Sequence, residues 1–208
     1  MRFPSTIILF LLVLIAQALI APRGIADTAR EVIETTASQV IDRLNLEREK
    51  REIYPNQIYE LIDELVLPTF DFNYISRLVL GGAYANATSE QRAAFQEQFK
   101  TLLVWTYAST LKEYSNNEII YHPEETTRNP RLVVVKTEVL DTVHQSSLQI
   151  DYRMYNVNEE WKVVDVAING VSLVTTYRGS FISEIRKNGI DALIAKLIIR
   201  NEKINETK

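Results

Sequence analysis

The side chains able to do chemistry in this sequence are few and far apart. Ser172 follows Gly170 and Val171 in the manner of a nucleophile elbow, but that turn needs glycine two positions after the serine, and Val174 stands there. Helical periodicity begins at Leu173, so Ser172 fits better as the N-cap of a helix. His122 and His144 are the only histidines. One falls at a strand end and the other in a loop, and no third group at a readable spacing would orient either as a base. Glu124-Glu125 and Glu159-Glu160 fall in turn regions, where solvated charge is the ordinary explanation. With no cysteine in the chain, there is neither a thiol nucleophile nor a thiolate metal site. Asp165 is the exception, because it interrupts the apolar run from Trp161 to Val166. A buried carboxylate must be paired or protonated. Two roles fit it: the base of a small cone-shaped α+β enzyme, or a structural bolt bonded to arginine or backbone amides.

Composition narrows the choice further. The chain has 208 residues, 46% hydrophobic and 24% charged, enough to build one buried core. Its 23 Lys plus Arg against 27 Asp plus Glu give a net charge of −4, and no stretch concentrates the cations into a nucleic-acid face. Residues Ile7 to Ile20 form an apolar run with Arg2 before it and Gly24-Ile25-Ala26 after it. This is the layout of a secretory signal spanning residues 1–26. The competing reading, an uncleaved anchor, is disfavoured because the run is shorter than the roughly 20 residues that cross a bilayer. Loss of the leader removes Arg2 and Arg23 and takes the charge from −4 to −6. Absence of cysteine suits an oxidising compartment and excludes lipoprotein-type acylation after the apolar run.

The elements that must position these residues follow from period and caps. Thr28 with Glu31, and Thr88 with Gln91, are capping boxes opening amphipathic helices. Pro55 opens a second helix that Pro68 stops, and Asp71 caps a short third that leaves through Gly81-Gly82. The helix from Ser89 to about Tyr114 is apolar nearly all round between Leu102 and Ala108, so both its sides must be covered. From Asn117 the period becomes alternating. Runs at Ile119–His122, Leu132–Leu140, Leu148–Tyr155 and Trp161–Ile168 predict four antiparallel strands, the third with Leu148, Ile150, Tyr152 and Met154 on one face. Two helices close the chain, one carrying Leu173, Tyr177, Phe181 and Ile185 and one following Gly189. No linker divides residues 27–208, so a single α+β domain is expected, a helical layer packed on a four-stranded antiparallel sheet.

Five segments resemble one family when taken together and in order. They are Leu80-Gly81-Gly82-Ala83-Tyr84; Thr88-x-x-Gln91-x-x-x-Phe95-x-x-x-Phe99; Trp161-Lys162-Val163-x-Asp165-Val166; Gly170-Val171-Ser172-Leu173-x-x-x-Tyr177-Arg178; and Gly189-Ile190-Asp191-x-Leu193-x-x-x-Leu197. The pattern is similar to that of the MlaC, or toluene-tolerance, family of periplasmic phospholipid-binding proteins. Tyr84 stands where members often carry tryptophan, which keeps an aromatic ring.

The resemblance implies a non-enzymatic carrier with no cofactor, its cargo a glycerophospholipid shuttled between an outer-membrane lipoprotein complex and an inner-membrane ABC transporter with an MCE subunit. It implies an apolar cavity between helices and sheet that takes the acyl tails. By the same analogy Leu78, Phe95, Phe99, Leu103, Tyr107, Leu111, Val135, Ile150, Tyr152, Val166, Val171, Leu173, Tyr177 and Phe181 are expected to line that cavity. Hopanoid-type polycyclic lipids are the alternative cargo, and a cone-fold enzyme using Asp165 the alternative function.

Overall fold

The computed structural model describes residues 28–49, 55–113, 117–141 and 145–206, so the expected leader and His144 lie outside them. Helix α1 (Ala29–Glu49) starts at its capping box: Thr28 N donates to Glu31 Oε2 at 2.7 Å, and Glu31 N donates to Thr28 Oγ1 at 3.2 Å. The next helix is shorter than its period suggests. Helix α2 (Pro55–Leu61) widens into a π turn over Ile62–Val66 and then tightens into a 3-10 turn over Leu67–Thr69. Pro68 has no N–H to continue the α ladder, and the chain leaves through the shorter Phe70 N to Leu67 O bond of 3.1 Å.

Asp71 caps α3 (Phe72–Leu80) by accepting from Tyr74 N at 2.8 Å. Gly81 then takes φ +54°, the left-handed exit that glycine allows, and feeds a short helix α4 (Gly82–Asn86). The second capping box, Thr88 with Gln91, opens the 25-residue α5 (Ser89–Glu113).

All four expected strands form. They are β1 (Glu118–Tyr121), β3 (Leu132–Asp141), β4 (Ser146–Val157) and β5 (Glu160–Ile168), joined by two-residue β2 (Glu125–Thr126) and β6 (Val171–Ser172). The sheet is therefore six-stranded, with order β1-β3-β4-β5-β6 and β2 also on β3. Two residues are too few to show a period, which is why the short strands were not expected. Helices α6 (Leu173–Asn188) and α7 (Ile190–Glu206) follow, broken at Gly189 with φ +85°. The architecture is α+β as expected.

Register fixes the faces. Val133, Val135 and Thr137 on β3 stand opposite Met154, Tyr152 and Ile150 on β4, which stand opposite Val163, Val166 and Ile168 on β5. That is the apolar face; Lys136, Asp151 and Arg153 hold the other. Between Arg153 and Met154 the register shifts, so that Val164 is an extra residue on β5. Residues two apart normally share a face. The bulge breaks that rule here, leaving Val163 on the apolar face and putting Asp165 beside Arg153 on the polar one.

Three clusters make the core. Phe72, Val79, Phe95, Phe99, Leu102, Phe181 and Leu193 unite α3, α5, α6 and α7. Ala29 and Ile33 of α1 seal Val133, Val135, Met154 and Val163 of the sheet. Val40 and Leu44 of α1 meet Ile58, Leu61, Ile62 and Ala108. Helix α5 thus sends Leu103 into the first cluster and Val104 into the third, and no residue from Leu102 to Ala108 is exposed.

Candidate functional site

Asp165 is only 4% exposed. Its Oδ2 accepts from Ser172 Oγ at 2.6 Å, its Oδ1 accepts from Val174 N at 3.1 Å, and Arg153 Nη1 lies 3.8 Å from Oδ2. Both carboxylate oxygens are engaged, and they tie the start of α6 to β5. Ser172 in turn accepts from Thr175 N at 3.0 Å, which makes it the N-cap of α6. Its hydroxyl donates to Asp165 and accepts from the helix, so both residues are engaged in joining β5 to α6. Asp165 is the bolt of the two roles considered.

The remaining polar candidates have structural uses. Glu124 Oε1 accepts from Arg30 N, in the first turn of α1, at 2.7 Å, and Glu125 pairs with Lys136 at 2.6 Å. Glu160 meets Lys162 at 3.1 Å, while His122 Nε2 sits 3.9 Å from Glu138 Oε2 at the surface. Among the described residues no group of three His, Cys, Asp or Glu could hold a metal ion.

The polar residues of the five segments work as clamps between them. Gln91 Nε2 donates to Asp191 Oδ1 at 2.8 Å, tying the start of α5 to the start of α7. Arg178 Nη1 donates to Leu78 O at 3.0 Å, and its guanidinium lies so close over Gly81 that a Cβ there would stand 3.0 Å from Nη2. Glycine at 81 and arginine at 178 are therefore one feature. Tyr84 keeps its ring between Arg77 and Arg92, 5.4 and 4.6 Å from the two guanidinium carbons. No chemistry is assembled by these contacts; they hold helices around apolar interior.

The fourteen expected lining residues fall into two groups. Phe95, Phe99 and Phe181 are 0%, 1% and 6% exposed and pack ring against ring with Tyr177 at centroid distances of 5.1–5.8 Å. In this conformation they fill space with one another. Leu103 packs on them, and Leu78 and Leu173 are partly buried. The second group is on the sheet: Val135 is sealed under α1, while Ile150, Tyr152 and Val166 remain partly accessible on the same face. Tyr107 adjoins Tyr177, and burial together with that neighbour raises the Tyr177 phenol above its ordinary pKa. Burial pushes the Tyr152 phenol up to about 12. The side chain of Leu111 lies outside the described residues. Val171 is 60% exposed at the sheet edge, where β6 follows a left-handed Asn169-Gly170 turn.

Two surface clefts are also present. One of about 420 Å³ is lined by Phe70, Asp71, Phe72, Asn73, Gln96, Val157, Asn158, Glu160 and Lys162, and one of about 330 Å³ by residues of the β3–β4 hairpin. Neither contains any of the fourteen.

Known proteins share this arrangement. The pattern of the family described as MlaC protein matches residues 34–198. Toluene tolerance protein ttg2D of Pseudomonas putida is 30% identical over 167 residues, covering 80% of this chain and 77% of that protein. The intermembrane phospholipid transport system binding protein MlaC of Haemophilus influenzae is 27% identical over 182 residues, covering 86% and 85%. A phospholipid-binding protein of Ralstonia solanacearum, solved in complex with a phospholipid, has a similar fold with TM-score 0.78. It is 27% identical, and the match covers 86% of this chain and 99% of that one.

Proposed function

The chain belongs to the MlaC protein family, and from that premise we propose that it is a phospholipid carrier of the periplasm, without enzymatic activity or cofactor. Residues 1–26 direct export, and residues 27–208 form the single carrier domain. Glycerophospholipid passes through it between an outer-membrane lipoprotein complex and an inner-membrane ABC transporter with an MCE subunit. A Ralstonia relative with the same fold holds a phospholipid, and the polar residues that could have served catalysis are here spent on clamps.

The observation that carries the reading is the unequal cover of the sheet's apolar face. Val133, Val135, Met154 and Val163 are at most 4% exposed, whereas Ile150, Tyr152, Val166 and Ile168 stay partly accessible. Acyl chains complete that open stretch, with Leu103, Tyr107 and Tyr177 on the helical side. This narrows the expected lining: Phe95, Phe99, Phe181 and Val135 stand behind the wall as packing.

Energetics favour carriage without chemistry. Two acyl chains present on the order of 30 methylenes, and at about 0.8 kcal/mol each their exposure costs over 20 kcal/mol. A bilayer shelters the same groups equally well. Transfer between membrane and carrier is then close to balanced, and lipid can be both loaded and released.

The test is an organic extract of the purified, leaderless protein read by mass spectrometry. Glycerophospholipid near one per chain is expected. Polycyclic masses instead would transfer the reading to hopanoid-type cargo. A chain reproducibly free of lipid, and unable to take any from vesicles, overturns it.

A further inference from the structure

In a chain with four more acids than bases, many surface cations sit against carboxylates: Arg30, Lys100, Lys136 and Lys196 each have one at 2.6–2.8 Å. Among the described residues, Arg77, Arg92 and Arg131 have none within 4.0 Å. These three are stacked on tyrosines instead, and they supply three of the four arginine–tyrosine stacks among the described residues.

The stacks form one connected ridge along α3. Arg131 lies 4.8 Å from the Tyr155 centroid, and Tyr155 stacks on Tyr74 of α3 at 5.1 Å. The neighbouring Asn73 Oδ1 accepts from Tyr84 Oη at 3.5 Å, and Arg77 and Arg92 enclose the Tyr84 ring. Arg77 and Arg131 are exposed. The 420 Å³ cleft beside Asn73 carries Asp71 and Glu160 against the single cation Lys162, so the positive surface is the ridge and not the cleft.

We propose that this arginine–tyrosine ridge is a docking surface for an acidic face of a protein partner. Arg77 keeps its whole fork for a carboxylate, while Arg92 and Arg131, anchored by Nε and Nη2 to the carbonyls of Tyr84, Ala85 and Asn156, add positive charge and their remaining N–H groups with little rotamer freedom left to lose. Tyrosine and arginine are also the side chains that anchor protein interfaces. A membrane surface fits less well. Binding in a bilayer interface needs apolar side chains to insert, and the exposed large hydrophobics, Leu46, Ile120, Val171, Ile198 and Ile199, are all on other elements. None of the ridge residues belongs to the lipid-facing group.

For its probes this inference rests on the carrier reading above. Lipid-loaded protein is titrated against the soluble MCE domain and against the outer-membrane lipoprotein complex of the same organism. It is also titrated against vesicles of phosphatidylethanolamine and phosphatidylglycerol. Arg77→Glu is expected to weaken one protein probe by about tenfold and flatten its salt dependence, while extracted lipid and vesicle binding stay unchanged. Arg77 makes only the ring stack, so Arg77→Lys keeps most of the affinity. Should Arg77→Glu fail to fold, Arg131→Gln and the salt titration of the unaltered chain decide. The inference is overturned if neither protein probe binds, if binding ignores salt and charge reversal, or if only vesicle binding falls. A protein that docks through the ridge yet never carries lipid would overturn the carrier reading alone.

Discussion

Val133, Val135, Met154 and Val163 are sealed beneath Ala29 and Ile33 of α1, whereas Ile150, Tyr152, Val166 and Ile168, further along the same strands and on the same face, are left partly accessible. Residue type does not separate the two stretches, for both are aliphatic with an occasional larger side chain. The helix above them does. On β3, flanked by β1 and β4, Thr137 and Val139 are buried even toward the open end, so accessibility is concentrated on β4 and β5. Alternation along a strand states which face is apolar; it does not state what lies on that face. One stretch is core; of the other, Tyr152 and Val166 pack on the edge of that core, and Ile150 and Ile168 lie beyond it.

The difference is tested most strongly by truncating one residue in each stretch. Met154 is fully buried, and Met154→Ala is expected to cost about 2–5 kcal/mol in urea unfolding while lipid per folded molecule is unchanged. Ile150→Ala should cost less than half as much and instead lower the lipid recovered in extracts. Equal destabilisation by both, with lipid unaffected, would make the open stretch ordinary core.

Next in size is the bolt that holds α6 against the sheet. Asp165→Asn preserves shape but offers only one acceptor atom, so either Ser172 Oγ–H or Val174 N–H loses its partner. About 1–3 kcal/mol of stability is expected to go, read by thermal or urea unfolding. Lipid per folded molecule should hold steady, because Asp165 faces away from the apolar side. Lost cargo at unchanged stability would place Asp165 in the binding site and return it to a direct role.

Sequence reading reached the local features and stopped where partners are far apart. Both capping boxes, the Asp71 cap and the Ser172 cap were legible because donor and acceptor are three residues apart. Strand periods were legible for the same reason. The side on which Asp165 lies was not, since it depends on one extra residue in the β4–β5 register. Arg178 stands in one of the five segments, but its carbonyl partner on Leu78 lies 100 positions away, and nothing in a single sequence pairs them. The phenylalanines show the limit most clearly. A four-residue spacing put Phe95 and Phe99 on one face correctly, yet whether that face meets cargo or Phe181 is a tertiary fact. The exposure of Val171 was not legible either, because two residues of edge strand carry no period.

The smallest effect probes the open stretch through one hydroxyl. Tyr152 is partly buried there, and burial holds its phenol near 12 against about 10 when unfolded. The folded state therefore keeps its proton longer than the unfolded chain does. The associated stability is complete below pH 10 and is lost as the pH rises from 10 through 12, by about 1–2 kcal/mol once solvent screening is allowed for. Tyr152→Phe should flatten that limb of a urea-midpoint profile while leaving the profile below pH 9 unmoved. The hydroxyl already lies out of water beside Thr137, so that limb should stand at the same pH in lipid-loaded and stripped protein. A limb that moves when lipid is stripped would show instead that cargo is what keeps water from the Tyr152 hydroxyl.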